Sequence, residues 1–274
     1  MNKLQIPGLR LLVAAAFLVI CPVTLIATDE PALTKEQIRH FLLTAKVVNS
    51  HESKKGITHT SRLTLSDGTL MHDASFQPVN EHKAVKQISD GQTEINFVDS
   101  YKYNLAAYAL AELVGFDDMM PVYVERNWKG HTGSLSWWLH VKMDDAERVT
   151  RKLEPPDKEV WNNQMYKIRV FDELVQDTDP NLTNILIGED WKLWRIDYTR
   201  AFRALPGVKH PSDLVHCERQ MLEKLKALNV SQLTEKTKSN LTSAEIKGVM
   251  ARRDAIVQHF QKLIADQGEN EVLY

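Results

Sequence analysis

The chain has 274 residues, 43% hydrophobic and 26% charged, with a formal net charge of -2. That mix excludes a disordered chain, and no basic stripe with interleaved aromatics marks a nucleic-acid partner. Its 11 glycines and 10 prolines are scattered without a period of roughly 20 to 50 residues, which excludes a solenoid or propeller.

Lys3 and Arg10 precede an uncharged apolar run from Leu11 to Ala27, interrupted only by Pro22 and Thr24. Residues 1–27 therefore read as a signal peptide or signal anchor. The basic flank stays in the cytosol by the positive-inside tendency, so the remainder is expected to be exported, periplasmic or extracellular. A membrane is involved only if this segment stays uncleaved. Past it, Cys217 is the sole cysteine, so no internal disulfide framework is expected, and no Cys/His spacing marks a zinc site.

Strands are predicted from Gly56 to Val79, where Thr58, Thr60, Leu63 and Leu65 lead into the turn signal Ser66-Asp67-Gly68. The charged and polar stretch from Asn80 to Thr93 reads as a loop. A helix follows from near Asp99 or Ser100, with Ala106, Leu110, Leu113 and Val114 on one face and Gly115 at its C-terminus. Met120–Glu125 and Ser134–Val141 are the next predicted strands. After Pro155-Pro156-Asp157, a helix from Lys158 to Val175 presents Trp161, Met165, Ile168, Phe171 and Val175 together.

Beyond Arg203 the pattern is helical, over Ser212–Leu228 and again from Thr242 to about Asp266, where Thr242 and Glu245 have capping-box spacing. The order of elements predicts an α+β fold in two parts. Residues 28–141 hold strands plus one helix, and residues 142–274 hold a hairpin plus helices.

The hairpin carries the chemistry. Asp179 is followed five positions on by Asn184, which leads into Ile185-Leu186-Ile187, and Asp197 closes the returning strand after Trp194-Arg195-Ile196. Both side chains can converge at one end. A carboxylate plus an amide oxygen suits Mg²⁺, which prefers hard oxygen donors, and Asp179 has the chemistry to accept a hydroxyl proton. Asp, Pro and Asn are also ordinary turn residues. The added strand, the hairpin spacing and the amphipathic helix before it favour the functional reading.

Phe171 to Arg203 resembles the catalytic and metal-binding segments of atypical kinases: the secretory-pathway kinases and the HipA-like and phosphoinositide-kinase-like groups. In these, D-R-H-x-x-N-I-L is followed by I-D. Trp194 to Phe202 also resembles W-x-I-D-x-[ST]-R-A-F in a group of exported bacterial proteins, a likeness that extends to Leu63–Gly68, Tyr101–Gly115 and Arg252-Arg253-Asp254. The resemblance implies a two-lobed protein-kinase-like fold with ATP and Mg²⁺ between a β-rich N-lobe and a helical C-lobe. It also implies phosphoryl transfer to a hydroxyl-bearing acceptor, with Asp179 catalytic and Asn184 and Asp197 as metal ligands.

The chain departs from that pattern in four ways. Pro180 and Asn181 replace the Arg-His pair. Gln77 stands where the phosphate-binding Lys falls, and Asn104 stands in place of its Glu partner, so the nucleotide grip is expected to be weaker than a charged pair gives. Lys83, Lys86 and Lys102 are candidate substitutes, or simply solvated charges. Gly56 is the lone glycine of a phosphate-covering loop. These departures keep open a binding-only pseudokinase or an envelope scaffold. Trp137, Trp138, Trp161, Trp191 and Trp194 are expected in packing, and Arg200 and Arg203 in pairs with acidic neighbours.

Overall fold

Thr34 opens the first helix with a reciprocal cap, its hydroxyl accepting the Gln37 N–H while the Gln37 side chain accepts the Thr34 N–H. The helix, α1 (Lys35–Thr44), buries only Phe41 and Leu42, so its apolar stripe is too short to register by periodicity. The N-terminal part thus holds two helices, where the sequence predicts one. The computed structural model describes residues 33–52, 60–87 and 93–274, so the signal segment and Gly56 lie outside the described residues.

β1 (Lys46–Glu52), β2 (Ser61–Ser66) and β3 (Met71–Gln77) are successive antiparallel neighbours. Between the last two, Asp67 Oδ1 accepts the N–H groups of Thr69 and Leu70, both at 2.8 Å, and Gly68 takes φ +96°. That is the turn its residue types demand. Leu63 and Leu65 alternate onto the buried face.

The stretch predicted as a loop is a two-stranded hairpin, β4 (Asn80–Gln87) with β5 (Thr93–Ser100). Val85 and Ile95 are exposed, and Phe97 is its buried anchor, with Lys86 and Arg200 over the ring at 3.9 and 4.4 Å. A strand pair without a continuous buried face shows no period-two hydrophobic signal, so only its backbone ladder reveals it.

β5 runs directly into α2 (Tyr101–Val114), capped by Ser100 and closed by Gly115 at φ +77°. Ten of its residues are buried, on nearly every face, as a helix sandwiched between layers requires. β6 (Tyr123–Trp128) and β7 (His131–Trp137) then form a hairpin at Lys129-Gly130, both at positive φ. The strands begin three residues later (Tyr123 for Met120) and three earlier (His131 for Ser134) than predicted; Pro121 has no N–H to give a ladder. The five-stranded sheet runs β1-β2-β3-β7-β6.

A connecting segment leads to β8 (Met143–Asp144), α3 (Asp145–Thr150) and α4 (Lys158–Val175), the last with its predicted bounds. β9 (Ile185–Ile187) and β10 (Leu193–Arg195) complete a small sheet, ordered β10-β9-β8. The rest is helical: α5 (Arg219–Ala227), α6 (Val230–Thr237), α7 (Ser243–Gln267) and α8 (Glu269–Val272). α6 lies where the sequence predicts no helix, and an Asn229–Gln232 capping box starts it.

Phe116 and Phe171 stack at 4.2 Å and join the sheet-rich part to the helical part. Thr34–Tyr274 is one compact unit. Gly248 lets α7 approach the chain after β10, since a Cβ there would lie 3.1 Å from the Arg203 carbonyl. One turn on, fully buried Arg252 donates to the carbonyls of Leu174 and Arg203, both at 2.8 Å, and of Leu205 at 2.5 Å. Among the described residues no helix is long and apolar enough to cross a membrane.

Candidate active site

The β9–β10 hairpin places two oxygen donors at one end. Ile185 pairs with Arg195, and the Ile196 N–H donates to the Asn184 carbonyl at 3.0 Å, so Asn184 lies directly across from the residue before Asp197. Asp197 takes φ +61°, a conformation Asp tolerates better than most residues, and turns the chain out of the strand. The Asn184 side chain is 9% exposed and makes no hydrogen bond among the described residues. An amide oxygen at the same hairpin end as a carboxylate fits a hard cation such as Mg²⁺ or Mn²⁺. Among the described residues no three His, Cys, Asp or Glu side chains gather as a metal cluster.

Gln77 and Asn104 meet this end from the sheet side. Gln77 Nε2 donates to Asp197 Oδ1 at 3.4 Å, and Gln77 Oε1 accepts Asn104 Nδ2 at 2.7 Å. Asn104 also donates to Ser134 Oγ at 3.3 Å, while its Oδ1 accepts the Tyr198 N–H at 2.7 Å. The pair is neutral and hydrogen-bonded, so it can be buried without the desolvation cost that an ionised pair carries.

Beneath the hairpin, Arg195 is 1% exposed and flanked by Asp172 of α4 and by Asp177. It also donates to the Ile196 carbonyl, and Tyr198 donates its hydroxyl to Asp172 Oδ1 at 2.9 Å. Burial opposes the guanidinium's charge, yet Asp172, Tyr198 and Asp177 hold its pKa above the usual value. Burial pushes Asp177 up to about 6 despite Arg195 beside it. Asp177 Oδ1 accepts the Asp179 N–H at 3.1 Å, so this network fixes the backbone from which Asp179 projects. Asp179 itself is exposed, and its side chain makes no hydrogen bond or ion pair among the described residues.

Past Asp197, Thr199 Oγ1 donates to Asp197 Oδ1 at 3.0 Å. Thr199 also lies beside Asp99, the penultimate residue of β5, which is 9% exposed. Burial, and then repulsion from Asp197, raise the Asp99 pKa. Arg200 and Arg203 both pair with Glu94 of β5, in keeping with their predicted role, and tie the β4–β5 hairpin to this segment. Lys83 and Lys86 pair with Glu81 on the same hairpin.

A cavity of about 300 Å³ opens beside Gln77 and Asp197. Its apolar wall is Trp137, Trp138, Leu139, Val141, Leu186 and Ile196, and Tyr123 and Ser136 lie at the polar end. Trp137 and Trp138 therefore face a cavity, where the sequence predicts packing alone; Trp137 is also held flat by His72 at 3.5 Å and 9°. Burial, and then the Asp197 charge, raise the Tyr123 pKa, while the nearby Asp197 backbone amide and Ser136 oppose the rise. Tyr123, Thr199, Asp99 and Arg195 escape sequence reading because each acts across long separations without a motif. An alternating strand with a Tyr inside is the only signal Tyr123 offers.

No protein-family model and no curated protein matches the chain. Solved structures do. Hydra Fam20 with sugar superposes with a TM-score of 0.61 at 15% identity, covering 87% of this chain and 91% of that one. The Golgi casein kinase with Mn/ADP bound gives 0.62 at 12%, covering 87% and 78%. The Helicobacter pylori proinflammatory kinase CtkA gives 0.51 at 8%, covering 82% and 98%. The chain has a protein-kinase-like fold. Within it a sheet-rich N-terminal part precedes a helical C-terminal part.

Proposed function

We propose that this is an exported ATP-dependent phosphotransferase that holds nucleotide and a divalent cation between its lobes. The observation that carries the reading is the chain of contacts Asn104–Gln77–Asp197 at the polar end of the cavity. An apolar, aromatic wall with polar groups gathered at one end is the form expected of a site for a flat base bearing phosphates. Export is supported by Lys3, Arg10 and the apolar run to Ala27.

In this reading Gln77 donates an amide N–H to a phosphate oxygen, and Asn104 keeps that amide oriented. Asn184 and Asp197 hold the cation, which when bound neutralises phosphate charge. Asp179 takes the proton of the acceptor hydroxyl as its oxygen bonds to the γ-phosphorus, and the bond from phosphorus to the nucleoside diphosphate breaks. The Arg195 network holds the Asp179 backbone in place for that transfer. One neighbour was solved with sugar and another is a casein kinase, so sugar and protein hydroxyls are the acceptor classes to try.

Thermal unfolding with ATP, with Mg²⁺ or Mn²⁺, and with both, followed by a phosphate-transfer assay, tests the proposal. Stabilisation by ATP plus metal and labelled product are expected; Asp197→Ala loses the metal-dependent part. No response to any nucleotide overturns it in favour of an envelope scaffold. The neutral Gln77–Asn104 pair favours a second reading, a binding-only pseudokinase, whose signature is stabilisation without turnover.

A further inference from the structure

The two oxygens of an ionised carboxylate are equivalent until hydrogen-bond donors distinguish them. On Asp197 both donors fall on Oδ1, Gln77 Nε2 at 3.4 Å and Thr199 Oγ1 at 3.0 Å. Oδ2 accepts no hydrogen bond among the described residues. The shorter of the two bonds comes from the hydroxyl, and one hydroxyl carries one proton to give.

Thr199 is 3% exposed, and its backbone is held from the α2 side. Its carbonyl accepts the N–H of Ser100, the cap of α2, at 2.9 Å. The N–H of the preceding Tyr198 goes to Asn104 Oδ1, within α2, at 2.7 Å. A buried β-branched side chain on a fixed backbone has few χ1 choices, so the hydroxyl meets Asp197 from a set direction. Groups that hydrogen-bond a ligating carboxylate orient it, and their removal typically lowers metal affinity about 10–100-fold.

We propose that Thr199 is a positioning residue for the cation: by donating to Oδ1 it reserves Oδ2 of Asp197 to meet the cation together with the Asn184 amide. This rests on the metal half of the proposed function. It also couples cation binding to the start of α2, because the residue that sets Asp197 is hydrogen-bonded to the cap of that helix.

The test follows Mn²⁺ binding to the full chain, by electron paramagnetic resonance of free Mn²⁺ and by the rise in unfolding temperature that Mn²⁺ causes with ADP present. Thr199→Val keeps the branched shape and removes the proton, and is expected to weaken Mn²⁺ binding about tenfold or more. Thr199→Ser keeps the hydroxyl and should bind Mn²⁺ as the parent does, even where loss of its methyl group lowers the metal-free unfolding temperature. Where the valine variant does not fold, Thr199→Ala against Thr199→Ser makes the same comparison, since these two differ only in the hydroxyl. Parental affinity in folded Thr199→Val, together with loss in Asp197→Asn, overturns the role of Thr199 and leaves the proposed function intact. Equal weakening in the serine variant does the same, because packing rather than the proton would then be at work. Absence of Mn²⁺ binding by the parent protein, with or without ADP, overturns the metal half of the proposed function and the role of Thr199 with it.

Discussion

The side-chain carbonyl of Asn104 accepts the backbone N–H of Tyr198, so helix α2 is tied directly to the residue after Asp197. Asn104→Ala removes that acceptor and also strips Gln77 Oε1 of its donor. The buried Tyr198 N–H is then left bare, and chemical denaturation should show a loss of about 1–3 kcal/mol. A loss within error of zero would mean that the tie carries no weight.

Gln77 and Asn104 should behave as one unit. Asn104→Glu alone buries an unpaired charge and should lower stability by several kcal/mol, whereas Gln77→Lys alone can pair with Asp197 and in the double variant gives the new Glu its partner. A double-mutant cycle is expected to give a favourable coupling above about 1 kcal/mol, with tighter ADP binding in the double variant than in the parent. Strict additivity would show that the two side chains do not form the pair that their 2.7 Å contact describes.

Asp179→Asn should leave nucleotide affinity unchanged and lower transfer by about 10²–10⁴-fold, the usual worth of a positioned base. Calorimetry with ADP and a single-turnover transfer assay separate the two effects. Equal loss of binding and transfer would place Asp179 in nucleotide contact rather than at the acceptor.

Asp177 predicts a pH dependence with a definite sign. Its folded pKa of about 6 lies above its unfolded value near about 3.9, so its stabilising contribution is complete below about pH 4 and is lost as pH rises through 6. The shift corresponds to at most about 3 kcal/mol. Urea unfolding of the parent and of Asp177→Asn from pH 4 to 7 isolates it: parental stability relative to the variant should fall with rising pH. A flat difference would remove Asp177 as the source.

Glu94 bridges Arg200 and Arg203, and Glu94→Gln should loosen the β4–β5 hairpin with about 1 kcal/mol of local destabilisation. Limited proteolysis should cut within the hairpin several-fold faster while the helical part stays resistant. Unchanged cleavage would show that Phe97 alone seats the hairpin.

What the sequence reveals follows from how local each signal is. α2 and α4 repeat apolar residues at helical spacing between strong end signals, Gly115 at one and Asp157 at the other, and Asp67-Gly68 can hardly do anything but turn. Asn184 and Asp197 are legible because a short hairpin converts a sequence spacing into proximity. The β4–β5 hairpin is not, since Glu81 pairs with Lys83 and Lys86 along its own strand and Glu94 pairs with Arg200 and Arg203 beyond the hairpin, which leaves no hydrophobic rhythm. Arg195 reads as one more charge inside an apolar strand until Asp172 and Asp177, 23 and 18 positions away, are seen around it. Gln77 and Asn104 are legible as residue types, but not as a hydrogen-bonded pair.

Arg252 gives the last long helix a say in whether the site exists at all. Its guanidinium satisfies carbonyls at the end of α4 and at Arg203 and Leu205, just downstream of Asp197, and Gly248 keeps the space that lets it reach them. A polypeptide halted between residues 203 and 251 would contain every residue of the hairpin and yet lack the brace under it. The hairpin should therefore reach its final setting late in synthesis, as a property of the chain through α7 rather than of the segment that carries the motif.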